Sequence, residues 1–307
     1  KTYLKNERTT LKDDPSELNE VTRQFPFTTD EAFRDSIDGS LFNIGKIYEQ
    51  IQYNDDLYPN PVVRGNFVWK GGVQDSSVVF KPDPQGRFRI AWMPPEELRN
   101  LKAEERGKRI APNAELGVGG VDSYDLDATV DGRGSKGALH LYNKFHMQHP
   151  ANMFVLEYAS RPPLAKIFYE DCLMAAFFYG YPLLIENNKY GIARYFESRG
   201  YDGYLMNRPG HLSSKNAKVN VKTKGIPSNS QDVIQAHAHA IEAYIHDHVG
   251  MHRETGEYGK MYFNSTLEDW IGFKINDRTR FDLTISSGLA LLGAQKSKRK
   301  KEPVNSP

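Results

Sequence analysis

Apolar positions along the chain change their period from one stretch to the next, and each change predicts an element. Leu41, Ile44, Ile47, Tyr48 and Ile51 recur at helical spacing, which predicts a short helix over 41–52. Residues 61–95 read differently. Three β-rich runs, 62–69, 78–80 and 87–92, are parted by Gly-Gly, Asp-Pro and Gln-Gly turn signals. They predict a small antiparallel subassembly, followed by a polar stretch over 96–108. From about Arg109 the pattern predicts strands over 114–122, 138–145 and 154–158, then a helix over 163–179 with Pro in its first turn and Gly180 as its stop. A short buried strand, 183–185, a helix over 190–198 ended by Gly200, and another short strand over 203–206 come next. Helices are expected over 232–249, capped by Ser228 or Ser230, over 267–273, and over 282–294.

Hairpin-linked strands followed by alternating helices and strands predict an α/β fold. Its mixed sheet would be antiparallel in the first three strands and parallel later. The expected organisation is linker helices and a small β-rich addition over 1–108, a main domain over 109–295, and a basic disordered tail over 296–307. In the first part, residues 1–25 are charged and helical or extended, and Thr29 or Asp30 can cap a helix starting near Glu31.

Composition narrows the class. The chain has 307 residues, 39% hydrophobic and 12% aromatic, enough for a large packed core. The net charge of +1 does not by itself announce a nucleic-acid binder. The single cysteine, Cys172, falls in an apolar helical pattern, which excludes an internal disulfide framework and predicts a buried thiol. No apolar run approaches the ~20 residues that span a bilayer, so no membrane is expected as a partner. The first residue is not Met, as in a piece excised from a longer protein.

The candidate chemistry is acidic. Asp122 closes the glycine-rich run 116–121, and glycines in a strand mark the close approach of another backbone or a ligand. Asp125, three residues on, can reach the same cavity, or both can be ordinary turn aspartates. Glu186 ends the apolar run 182–185 and is followed by turn residues Asn187, Asn188 and Gly191, so it stands at the carboxyl end of a strand, where open sheets bind ligands. It can equally be a surface acid capping the next helix. Asp282 heads an apolar helix, where an acid also suits the helix dipole, and Asp277 is its rival. Carboxylates at the edge of a core are costly unless paired or bound to a cation, and three that converge point to a hard divalent metal.

Glu157 lies on an apolar strand with Arg161 four residues on as a salt-bridge partner, and a structural role is expected for it. His237, His239, His246 and His248 lack zinc-ligand spacing on their helix and read as a polar face. The run Gly132–Gly137 is not a phosphate-binding loop; it is expected at a hairpin tip between the first two main-domain strands. Basic stretches 102–109 and 213–224 and the tail from Lys296 add cationic surface, which suits a polyanion that also meets metal ions.

The motifs Gly120-Val121-Asp122, Leu184-Ile185-Glu186-Asn187-Asn188-x-x-Gly191 and Phe281-Asp282 leading into 286–292 resemble the C-terminal nuclease domain of the large terminase subunit of tailed phages. The stretch 26–33 resembles the segment that joins that family's ATPase half to its nuclease half. The resemblance implies a ribonuclease H-like fold and a hydrolase that cuts concatemeric double-stranded viral DNA during genome packaging. It implies Asp122, Glu186 and Asp282 as catalytic metal ligands, Asp125 as a further ligand, and two Mg²⁺ or Mn²⁺ ions roughly 4 Å apart, bridged by Asp122. With no Walker motif, the chain would be the nuclease half alone, monomeric in isolation and oligomeric in the assembled motor. Portal and small terminase subunit would be partners through the full-length protein. The implied location is the host cytoplasm, transiently at the procapsid portal vertex, and not the mature virion. The rival readings are another ribonuclease H-like nuclease of resolvase or transposase type, and a non-catalytic DNA-docking module of a packaging motor.

Overall fold

The computed structural model describes residues 2–27, 42–125, 136–145, 150–187, 189–212, 224–227, 231–274 and 280–295. The expected caps at Thr29, Asp30, Ser228 and Ser230, most of the 26–33 motif, the glycine-rich tip at 132–135, Asp277 and the basic tail lie outside them.

The strands are β1 (Val63–Trp69), β2 (Val78–Pro82), β3 (Phe88–Ile90), β4 (Ala103–Glu105), β5 (Lys108–Ile110), β6 (Gly117–Asp122), β7 (Gly137–Asn143), β8 (Met153–Ser160) and β9 (Leu183–Ile185). The helices are α1 (Thr2–Thr10), α2 (Pro15–Gln24), α3 (Ile44–Asp56), α4 (Ala165–Tyr179), α5 (Gly191–Ser198), α6 (Gln231–His248), α7 (Asn264–Gly272) and α8 (Asp282–Ala294). Seven strands form one mixed sheet in the order β2-β1-β3-β8-β7-β6-β9. Every pairing is antiparallel except β6 with β9. The α/β class and the change from antiparallel to parallel pairing are as the sequence predicts.

The β-rich stretch 61–95 is antiparallel, as expected, and it lengthens the main sheet. β3 pairs with β8 through Phe88 with Tyr158 and Ile90 with Leu156. Arg87 fastens this junction by donating from Nε to Oδ2 of the buried Asp171 on α4, at 2.8 Å.

Two expectations are corrected. The run 203–206 is not a strand. It makes single parallel bridges, Gly203 to Ile110 and Leu205 to Leu183, because the chain turns between them and the ladder cannot continue. The polar stretch 96–108 contains β4, and the hairpin β4–β5 turns through Arg106 and Gly107, both at positive φ (51° and 76°). Its Arg-Gly tip carries a weaker turn signal than Asn-Gly, and its charged strands lack an apolar face.

Strand alternation divides the core in two. Val121, Leu139 and Leu141 face α4 and α5 with Phe168, Cys172, Phe177 and Phe196. Val118, Tyr142, Phe154 and Leu184 face α6, α7 and α8 with Ile241, Trp270 and Leu289. Cys172 is buried and free, as its apolar setting predicts. α4 is nearly apolar all round and ends at Gly180, whose left-handed φ of 70° lets the chain turn straight into β9. α3 starts three residues later than predicted, where the Asn43 side chain accepts from the Lys46 amide at 3.1 Å. Among the described residues no helix is long and apolar enough to cross a membrane.

Candidate functional site

β6 and β9 run side by side in the same direction, with Val121 opposite Ile185, so Asp122 and Glu186 follow at the same end of the sheet. The Glu186 amide donates to the Val121 carbonyl at 3.2 Å, which holds the two chain segments together at that point. Successive strand side chains alternate between faces. Val118, Gly120 and Asp122 therefore share a face, as do Leu184 and Glu186, and it is the face covered by α8.

Gly120 sets how close α8 can come. A Cβ there would lie 2.1 Å from the Ser286 carbonyl oxygen and 2.2 Å from the Ala290 nitrogen. The helix backbone rests directly on β6, as strand glycines signal. This brings the first residue of α8, Asp282, to the end of the sheet that carries Asp122. There the Lys136 amide, next to the start of β7, donates to Asp282 Oδ2 at 2.9 Å. β7 begins beside Asp122, which pairs with Ala138.

Asp122 feels the charge of both other acids. Asp122 is 5% exposed and Glu186 8%. Burial, with the negative charges of Glu186 and Asp282, pushes the Asp122 carboxyl up to about 8 against the opposing charge of Lys189. Lys189 Nζ lies 3.1 Å from Asp122 Oδ1 and 3.7 Å from Glu186 Oε2. Burial disfavours its charge, but the combined pull of Asp122, Glu186 and Asp282 outweighs that and raises its pKa. The two directions are compatible: burial and the neighbouring acids govern Asp122, while Lys189 answers to the whole cluster. Lys189 carries little signal in the sequence, only a cation three residues after Glu186, in the turn before α5.

The donor set is all oxygen, which suits Mg²⁺ or Mn²⁺. A cation is already in place among these oxygens, the Lys189 ammonium. Among the described residues, no three His, Cys, Asp or Glu side chains are grouped closely enough to hold a metal ion as they stand.

Asp125 does not join the three acids. It is exposed at the strand end, and its Oδ1 accepts from the Gly191 amide at 3.2 Å and the Tyr169 hydroxyl at 3.0 Å. Three residues of non-strand backbone carry it across to α4 and α5, so it secures the start of α5.

Glu157 has a structural setting, as expected, but not with Arg161. It pairs with Arg89 on β3 and accepts from Ser265 Oγ at 2.7 Å and Thr266 Oγ1 at 2.5 Å, joining β8 to α7. Arg161 lies over the Tyr124 ring, 4.4 Å from its centroid. His140, fully buried, bridges Ser286 Oγ and Thr266 Oγ1, each at 2.8 Å, and burial pulls its pKa down to about 4. A buried chain of polar groups thus runs from Glu157 through Thr266 and His140 to Ser286, one turn into α8. Nearby, Asp269 on α7 accepts from the Thr284 amide and hydroxyl at 2.7 Å, and burial raises its carboxyl to about 6.

The histidines of α6 divide. His239 and His246 are exposed beside Glu242 and Asp247, as a polar face requires. His237 is buried with Nε2 2.9 Å from the Ile285 carbonyl oxygen, against Gly288, where any side chain would collide with the ring. Of the basic stretch 213–224 only Lys224 lies within the described residues; it bridges to Asn207, two residues before Ile226, which bridges to Glu186. Ile110, just past the 102–109 stretch, bridges to Gly203, toward the opposite end of β9 from Glu186.

No protein-family model matches the sequence, and no curated protein matches it.

Proposed function

We propose that the chain is a divalent-metal-dependent endodeoxyribonuclease with a ribonuclease H-like fold, similar to the nuclease domain of a tailed-phage terminase large subunit and acting on double-stranded DNA during genome packaging. The observation that carries this reading is the placement of Asp122, Glu186 and Asp282 at one end of a mixed sheet, where Asp122 feels the charge of both other acids and Lys189 lies against Asp122 and Glu186. Asp122, Glu186 and Asp282 would hold Mg²⁺ or Mn²⁺. Bound there, such ions supply Lewis-acid polarisation of a phosphodiester and a readily ionised water. The chain's own part is positional: β6 and β9 fix two carboxylates, and α8, pressed onto Gly120, brings the third. The portal and small-subunit partners, the oligomeric motor and the host-cytoplasmic location belong to the same proposal.

The test is nicking of supercoiled plasmid by the 307-residue chain in Mn²⁺ against EDTA. Asp122→Ala, Glu186→Ala and Asp282→Ala should each abolish Mn²⁺-dependent nicking while keeping a cooperative unfolding transition. Undiminished cleavage by any one of them removes that residue from the site.

A second reading, a DNA-docking module without catalysis, is favoured by Lys189, which already compensates the acids, and by the lack of a ready-made ligand group among the described residues. DNA binding with no cleavage in any divalent ion would support it. Preferential cutting of four-way junctions over linear duplex would instead favour an enzyme of resolvase type.

A further inference from the structure

We propose that Lys189 is the resident counter-cation of the acidic site, and that a divalent ion enters by displacing it. This rests on the metal-dependent reading above and adds how the site is kept when no metal is bound. The Lys189 ammonium donates to Asp122 Oδ1 at 3.1 Å and stands 3.7 Å from Glu186 Oε2. The side chains of Asp122 and Glu186 are 7% and 11% exposed, so water alone compensates them poorly. The Lys189 side chain is 32% exposed and stands in the turn between β9 and α5. Its long stem reaches in from the solvent side and can withdraw without disturbing a strand or helix.

An ammonium and a divalent ion seek the same carboxylate lone pairs and cannot both take them. A divalent ion carries twice the charge of the ammonium, so the carboxylate oxygens attract it more strongly than they attract Lys189 Nζ. Nζ occupies Asp122 Oδ1 and lies beside Glu186 Oε2, while Asp282 Oδ2 accepts from the Lys136 amide. Binding a metal ion therefore includes releasing Lys189. If the ammonium holds the site ~90% of the time, the apparent metal affinity falls about tenfold.

The experiment is calorimetric titration of Mn²⁺ into the whole chain, without DNA, for the wild type, Lys189→Met and Lys189→Arg. Lys189→Met keeps most of the apolar stem and removes the charge, so it should bind Mn²⁺ about tenfold more tightly. Lys189→Arg should stay near the wild type. The rise in unfolding temperature caused by Mn²⁺ should likewise be larger for Lys189→Met. Lys189→Gln serves if the methionine variant does not fold. Unchanged or weaker Mn²⁺ binding in the charge-removed variant, beside measurable binding in the wild type, overturns the displacement role and leaves the metal reading standing. No Mn²⁺ binding in any variant overturns both.

Discussion

Gly120 and Ser286 are in backbone contact: a single methyl group on Gly120 would lie 2.1 Å from the Ser286 carbonyl oxygen. That contact sets the height of α8 above the sheet, and with it the place of Asp282. Gly120→Ala forces either the strand or the helix to give, and overpacking of this kind costs about 1–3 kcal/mol. Urea unfolding should show a loss in that range, with Mn²⁺ affinity reduced as well because Asp282 moves away from Asp122. Wild-type stability in this variant would mean that α8 is not seated as described.

Asp125 stands apart from Asp122, Glu186 and Asp282. It accepts from the Gly191 amide at the first turn of α5 and from Tyr169. Asp125→Ala should cost about 1 kcal/mol, as for other lost helix-start acceptors, and leave Mn²⁺ affinity as in the wild type. A large loss of metal affinity would return Asp125 to the ligand set.

Arg89 is the charged partner of the fully buried Glu157. Arg89→Met leaves that carboxylate with the Ser265 and Thr266 hydroxyls and the neighbouring His140 ring. Removing one partner of a buried pair typically costs about 3–5 kcal/mol. The Arg89 side chain is 34% exposed, so the lower end of that range is expected from denaturant unfolding. The double variant Arg89→Met, Glu157→Gln should recover part of the loss, since no charge is then buried.

His140 makes stability pH-dependent in a defined window. Its folded pKa, about 4, lies below its ordinary value of 6.5 because the ring is buried and stays neutral. The resulting stability is present in full above 6.5 and is lost as the pH falls through about 4. His140→Gln removes the titrating group, so the stability advantage of the wild type over this variant should shrink across that interval. A constant difference would show that the ring is hydrated or already charged.

Much of the local structure was legible in the residues. The helix Asp282–Ala294 has the bounds its apolar run predicts, β9 falls where expected, and Gly180 ends α4. Burial of Cys172 and the close approach at Gly120 were equally readable, since an apolar setting and a strand glycine are local signals. The β4–β5 hairpin was not, because it lacks an apolar face, and 203–206 has a strand's composition but bridges only singly to its neighbours.

The sequence by itself determined most helices and strands of the main sheet and which three acids terminate or head apolar elements. Periodicity and turn chemistry act over a few residues, so the chain carries them locally. Only the tertiary structure decided that β3 joins β8, that α8 lies across β6, that Asp125 turns to α5, and that Lys189 stands among the acids. Those outcomes depend on which distant surfaces meet and how near two backbones can come. Burial then assigns each charge the partner within its reach: Arg89, far away in sequence, pairs with Glu157, while Arg161, four residues away, lies over Tyr124.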